Sequence, residues 1–325
     1  MPVLPQPSYR PWFPFTSGHL QTLYPTLWRR RPKTSPKPER IETADGDFID
    51  LDWHYSADVG TNRLAVISHG LEGNARKKYP LGMAKILNSY GWDVICFNFR
   101  SCSGEMNRLP RFYHSGTTDD LHTVLDYGLA AGKYNEAALV GFSIGGNQTL
   151  KYLGERPSIV PAEVKGAVVF SVPCMLADSV AVMDRWQNRL YMKYFMRSLV
   201  EKMRSKAELF PGLIDSKGIE KIISFTSFDD RYTAPLHGFR DAADYYATCS
   251  SRQFLSSITI PTLLVQAKDD PFLSVSCYPF SEAEASGCLY LEVPNSGGHV
   301  GFIGKWSEVY YWSETRAASF LAETV

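Results

Sequence analysis

The sequence predicts an α/β protein: a mostly parallel central sheet with helices on both faces, an antiparallel hairpin at its start and a helical insertion late in the chain. Three observations carry that expectation. Short, near-continuous apolar runs alternate with amphipathic stretches, the pattern of strands buried on both faces between crossover helices. The dipeptide Asp45-Gly46, suited to a tight turn, sits inside the alternating stretch ETADGDFIDLDWHY that starts after Ile41. About 90 residues separate two of the apolar runs, GAVVFSV and TLLVQA, where a whole βαβ unit needs only ~30.

The elements follow in order. The first 40 residues, rich in Pro, aromatics and Arg, show neither the helical nor the strand period and are expected to wrap the surface. After the hairpin come the strands LAVISH (64–69), WDVICFNF (92–99), AALVGF (137–142), GAVVFSV (166–172), TLLVQA (262–267) and LYLEV (289–293). Helices are expected at YPLGMAKILNSYG, DDLHTVLDYGLAAG and NQTLKYLGE. A length of 325 residues suits a single α/β domain spanning 1–325, with 175–240 as a helical cap inserted between strands 6 and 7. Met183, Trp186, Leu190 and Tyr194 are spaced to form one apolar face of a cap helix.

Charge and cysteine usage narrow the function classes. Lys plus Arg and Asp plus Glu both number 34, so no net field draws the chain toward nucleic acid or an anionic surface. The six cysteines are scattered, with no CxxC pair and no histidines at zinc-site spacing, as expected of reduced thiols and of a protein without a metal. No apolar run approaches the ~20 residues needed to span a bilayer, and the start lacks a signal-peptide pattern. A cytoplasmic protein is the expectation.

The chemistry concentrates at VGFSIGG, residues 140–146. A serine between Gly141 and Gly145, after an apolar strand and before a helix, matches the strand-to-helix bend called a nucleophile elbow. There the serine is held in strained backbone and its small neighbours avoid clashes. Ser143 is the candidate nucleophile. A hydroxyl is a poor nucleophile near neutral pH, so it needs an imidazole base that is itself oriented by an acid.

Two histidines follow Ser143. His299 lies in the glycine-flanked loop NSGGHVGF directly after a strand, whereas His237 follows no strand and reads as structural. For the acid, Asp269 and Asp270 both end the strand TLLVQA, and Asp229 and Asp230 rank below them. Asp270 is favoured because the usual pattern of the fold that carries such an elbow puts the acid three residues after a small residue closing the strand, here Ala267. An oxyanion needs two aligned donors, here the backbone N–H groups of Ile144 and of Leu71 in the loop His69-Gly70-Leu71-Glu72-Gly73. His69 precedes the serine and reads as a brace for that loop.

These residues resemble the α/β-hydrolase superfamily, and within it the YheT-like esterase branch. The resemblance is carried by GHLQTLYPTLWRR, DGDFIDLDW, SHGLEGN, NFRSCSGEMNR, YHSGTTDD, VGFSIGGN, FDDRYTAPLHGF, AKDDPF and GGHVGFIG, in family order across nearly the whole chain. It implies the α/β-hydrolase fold and a triad of Ser143, Asp270 and His299. Two of those stretches, NFRSCSGEMNR and YHSGTTDD, have no chemistry of their own in this reading beyond Thr117 or Thr118 capping a helix, with His114 buried.

The expected function is a serine carboxylesterase acting on a small-molecule ester of short- to medium-chain acyl groups through an acyl-enzyme, with no cofactor and no nucleic-acid partner. The alternatives are an acyltransferase or a lipase/phospholipase using the same triad, or an idle member that only binds a ligand. Relatives acting on lipids often carry a membrane anchor, which this sequence does not show, and that counts against a bilayer substrate.

Overall fold

The computed structural model describes residues 3–7, 9–304 and 309–325; three residues of the N-terminal stretch discussed above, 1, 2 and 8, lie outside the described residues. Eight strands form one sheet in the order β1-β2-β4-β3-β5-β6-β7-β8. They are β1 Lys37–Glu42, β2 Phe48–His54, β3 Arg63–Ser68, β4 Asp93–Phe97, β5 Glu136–Phe142, β6 Val164–Phe170, β7 Thr262–Val265 and β8 Leu289–Glu292. The β1–β2 and β2–β4 pairs are antiparallel, and every later pair is parallel. The hairpin turns at Asp45-Gly46, where Gly46 has φ +82°. Its first strand begins at Lys37, earlier than the alternation alone marks.

The helices are α1 Gly18–Leu27, α2 Lys78–Ser89, α3 Thr118–Leu129, α4 Ile144–Glu155, α5 Leu176–Met183, α6 Arg189–Leu209, α7 Phe225–Phe228, α8 Ala234–His237, α9 Ala242–Cys249, α10 Phe280–Ala285 and α11 Trp312–Thr324. Side-chain alternation along the strands feeds two cores. Leu64 and Val66 of β3 pack on the α3–α4 side, and Ala65 and Ile67 on the α2–α11 side. Apolar burial on both faces fixes the parallel register and leaves the loops after the C-terminal strand ends side by side along one rim, where ligands bind in such sheets.

Helices α5 to α9 all come from the chain between β6 and β7. Here the expected apolar face does not form. α5 ends at Met183, the chain makes a 3-10 turn over Trp186–Asn188, and α6 starts at Arg189. The buried Asn188 side chain seals this break by donating to the carbonyls of Val182 (3.0 Å) and Pro271 (2.8 Å). Met183 is buried, but Trp186, Leu190 and Tyr194 face outward. The buried stripe of α6 is instead Met192, Met196, Leu199 and Met203, at i, i+4, i+7 and i+11.

The N-terminal stretch also differs from expectation. Rather than only wrapping the surface, it contributes α1, whose Gln21 is fully buried, accepting from Tyr9 Oη and the Ile303 N–H and donating to Phe15 O. The unexplained motif NFRSCSGEMNR also finds its use. Arg100 is buried and pairs with Asp45 and Asp47 of the hairpin turn and with Asp120 in the first turn of α3. Asn107 donates to the same Asp47 at 2.5 Å. Thr117 stands at the N-cap position of α3, but its hydroxyl donates to His114 O (2.6 Å) and does not cap the helix.

Candidate active site

Ser143 sits between β5 and α4 with φ +55° and ψ −121°, a conformation that costs free energy for any residue with a side chain. The flanking glycines make the bend possible. A Cβ on Gly141 would come within 2.6 Å of both Gly145 O and Gly146 Cα. One on Gly145 would fall on the backbone oxygen of His69, and one on Gly146 would meet Val172 at 2.5 Å. The elbow packs its backbone too tightly against β3 and β6 for larger residues.

His299 Nε2 lies 2.9 Å from Ser143 Oγ. On the other side of the ring, Nδ1 lies 3.1 and 3.0 Å from the two Asp270 oxygens. A carboxylate only accepts, so Nδ1 carries the hydrogen and Nε2 is left as the acceptor for the serine O–H. The Asp270 carboxylate is fully buried and also accepts the Phe272 N–H at 2.9 Å, which fixes its plane. Ser143, more than a hundred residues before the other two in the chain, thus joins Asp270 and His299 in one hydrogen-bonded line.

Asp269 points elsewhere. It accepts the Gly298 N–H at 2.9 Å, and burial pushes its carboxyl above the ordinary value. It shapes the histidine loop, whose Gly298, Val300 and Phe302 all have positive φ. That loop is pinned from two further sides. Thr22 on α1 accepts the His299 N–H at 2.9 Å, and Ser171, itself at φ +54° after β6, accepts the Val300 N–H at 2.9 Å. The sequence by itself marks neither Thr22 nor Ser171 as a partner of the histidine loop. The only signal was the quoted stretch GHLQTLYPTLWRR, whose positional meaning is invisible without knowing what α1 touches.

The loop after β3 runs against the serine: a Cβ on Gly70 would sit 3.2 Å from Ser143 Cβ. His69 accepts the Phe99 N–H through Nε2 (3.1 Å), so Nδ1 carries the hydrogen and donates to Gly70 O (2.7 Å). Burial lowers its pKa to about 4, which keeps it a neutral brace. The Leu71 and Ile144 N–H groups donate to no acceptor among the described residues, and Ile144 is the first residue of α4, whose N–H groups lack partners within the helix.

Glu72, next to Leu71, holds φ +51° and is buried. Its carboxylate receives hydrogen bonds from Lys202 Nζ (2.6 Å), Tyr113 Oη (2.5 Å) and the Ser198 hydroxyl, two of these partners being on α6. Burial alone would raise this carboxyl, but the Lys202 charge and these hydrogen bonds hold it below the usual range. Lys202 is correspondingly raised against its own burial by Cys102 and Glu72. The pair is charged, and it fastens the loop to the helix above.

Around the rim opens a cavity of about 1000 Å³, at the top of the range for small-ligand sites. Ser143 and His299 lie in its wall with Phe195, Leu199, Phe225 and Phe272. Asp229 also reaches the wall; burial pushes its carboxyl up to about 6, opposed by Thr233 and Tyr246, which donate to it. Asp230 accepts the Ala242 N–H at 2.7 Å instead of facing the imidazole. His237 lies within hydrogen-bonding distance of two backbone carbonyls, Thr233 O (2.7 Å) and Phe112 O (2.8 Å). Among the described residues no group of three or more His, Cys, Asp or Glu side chains could hold a metal ion.

Comparison with known proteins agrees with this architecture. A family model described as the alpha/beta hydrolase fold matches residues 66–305. The chain is 36% identical over 311 residues to the candidate esterase YheT of Escherichia coli (strain K12), covering 94% of this chain and 91% of that one. It is 30% identical over 308 residues to phospholipase ABHD3 of Mus musculus, covering 88% and 74%. The solved esterase Pf2001 of Pyrococcus furiosus superposes with a TM-score of 0.59 at 18% identity, over 90% of this chain and 93% of that one, a likeness of fold. The chain belongs to the α/β-hydrolase family. Within that family it groups with YheT.

Proposed function

We propose that this protein is a serine hydrolase that cleaves carboxylic esters of apolar acyl groups. The observation that carries the reading is the hydrogen-bonded line Asp270–His299–Ser143, whose serine and histidine lie in the wall of a large, mainly apolar cavity. Ser143 Oγ attacks the ester carbonyl carbon while its proton passes to His299 Nε2. Asp270 holds the imidazole in the required tautomer and stabilises the imidazolium. The N–H groups of Leu71 and Ile144 receive the charge that builds on the carbonyl oxygen. His299 then protonates the departing alkoxide, leaving an acyl-serine. Water, deprotonated by His299, releases the acid and regenerates the hydroxyl.

In this reading the helices between β6 and β7 act as a cap, residues 175–240 forming most of it, and its aromatic lining receives the acyl chain. The experiment is a series of p-nitrophenyl esters of increasing acyl length, with ethanol added in a parallel arm to reveal acyl transfer. Each further methylene that leaves water is worth ~0.8 kcal/mol, so kcat/KM is expected to rise about fourfold per carbon through the short and medium chains. Absence of turnover for every ester would contradict the reading.

A further inference from the structure

The mouth of the cavity is flanked by two apolar stripes that are exposed among the described residues. On α1, Leu20, Leu23 and Leu27 recur at i, i+3 and i+7, and all three are exposed. Opposite them stand Trp186, Leu190 and Tyr194, with Trp186 82% and Leu190 77% exposed. Leu23 and Leu27 line the same cavity as Trp186, Leu190 and Tyr194, so the two stripes border one opening. The elements touch through His19 of α1, stacked on Tyr191 of α6 with ring centroids 5.8 Å apart. Isolated exposed apolar side chains are ordinary, but a contiguous set around an opening marks an interaction surface.

Charge identifies the partner. The whole chain has as many acidic as basic residues, yet of the basic side chains lining this cavity Arg31, Lys77 and Lys78 form no ion pair among the described residues, Arg29 and Arg76 being paired with Glu314 and Asp52, whereas its acidic ones, Glu72, Asp229 and Glu314, are all withdrawn into buried pairs or hydrogen bonds. Arg185, Arg189 and Lys193 add exposed positive charge beside the α6 stripe, and Asp184 is an exposed acid on the same turn. A second copy of this chain would bring one basic rim against another, because a two-fold interface sets the same patch on both partners.

We propose that this face docks on a phospholipid bilayer bearing anionic headgroups. The two stripes lie at the boundary of headgroups and acyl chains, and the basic rim sits over the phosphates. The proposal rests on the ester-hydrolase reading for its purpose, since the cavity then opens toward the acyl chains of lipids, but its test is independent of turnover.

The test is co-sedimentation of the intact protein with vesicles of phosphatidylcholine alone and of phosphatidylcholine mixed with phosphatidylglycerol. Binding is expected for the mixed vesicles, weakening as salt is raised. Arg30→Glu, which alters an exposed residue near the rim, is expected to lower partition about fivefold or more. Leu20→Glu combined with Trp28→Glu, two exposed positions outside the cavity wall, is expected to lower it about tenfold while turnover of a water-soluble ester stays at the wild-type level. The proposal is overturned if wild type binds neither vesicle, if these variants bind as well as wild type, or if sedimentation velocity shows a dimer that the double variant abolishes. Labelling by a fluorophosphonate separates the two readings. Vesicle binding without labelling would leave the docking surface and remove the hydrolase, and labelling without binding would do the reverse.

Discussion

The rim of the sheet and the helices laid over it hold their shares of the site by opposite means. At the rim, backbone geometry does the holding: Ser143 at positive φ between glycines that admit no Cβ, and the histidine loop pinned by Asp269, Thr22 and Ser171. Such positions are set by the buried strands beneath them and have little freedom to move. The helices of the β6–β7 segment are held instead by side-chain hydrogen bonds, among them Lys202 and Ser198 to Glu72, Asn188 to Pro271 and Lys206 to Leu109, and they leave an apolar stripe in solvent. In the proposed reading, reaction chemistry belongs to the backbone-held rim and substrate preference to the side-chain-held helices.

The comparison breaks first at Ser143. Ser143→Ala is expected to lower turnover by at least ~10³-fold with an unchanged melting temperature, measured as kcat beside a thermal scan. Turnover within tenfold of wild type would move the chemistry away from the rim. Asp270→Asn comes next, with kcat falling by ~10³- to 10⁴-fold because the imidazole loses its preferred tautomer. Asp269→Asn should fall far less, since it keeps an acceptor for Gly298. Equal losses in the two variants would mean that the loop shape, and not the orientation of His299, is what matters.

The coupling between the two regions is tested at Glu72 and Lys202. Removing one partner of a buried pair leaves an uncompensated charge, so Lys202→Met alone confounds stability with catalysis. The double variant Glu72→Gln with Lys202→Met avoids this. It is expected to lower kcat by up to ~10²-fold with a smaller change in KM, as the Leu71 N–H loses its fixed position. A change confined to KM would make the tie a feature of binding only.

The smallest effect lies in the helical region. Burial raises the Asp229 carboxyl to about 6 from an ordinary 3.8, so the unfolded chain ionises first as pH rises. Stability present at low pH is therefore lost between about pH 4 and pH 6, by at most about 3 kcal/mol. Asp229→Asn should flatten that part of the profile of melting temperature against pH. An unchanged slope would show that the carboxyl is not held protonated.

Much of this architecture is written locally. Strands such as LAVISH and AALVGF declare themselves because burial on both faces demands unbroken apolar residues, and the elbow does so because only glycine fits at positions 141, 145 and 146 around Ser143. What escaped the sequence is what depends on distant partners. α1 is masked by Pro25 in its last turn, and its leucines, though helically spaced, face outward, so the sequence pattern does not point to the face that holds His299 through Thr22. In the inserted segment, the apolar spacing 183–186–190–194 competes with the apolar spacing 192–196–199–203. Only the chain break at Asn188 decides which one is buried.

The most direct test is where a fluorophosphonate attaches, determined by peptide mass spectrometry on the intact protein. A single adduct on the peptide bearing Ser143, lost in His299→Ala, is the predicted result. An adduct on a different serine, or undiminished labelling of Ser143 without the imidazole, would contradict a nucleophile activated at the rim of this sheet.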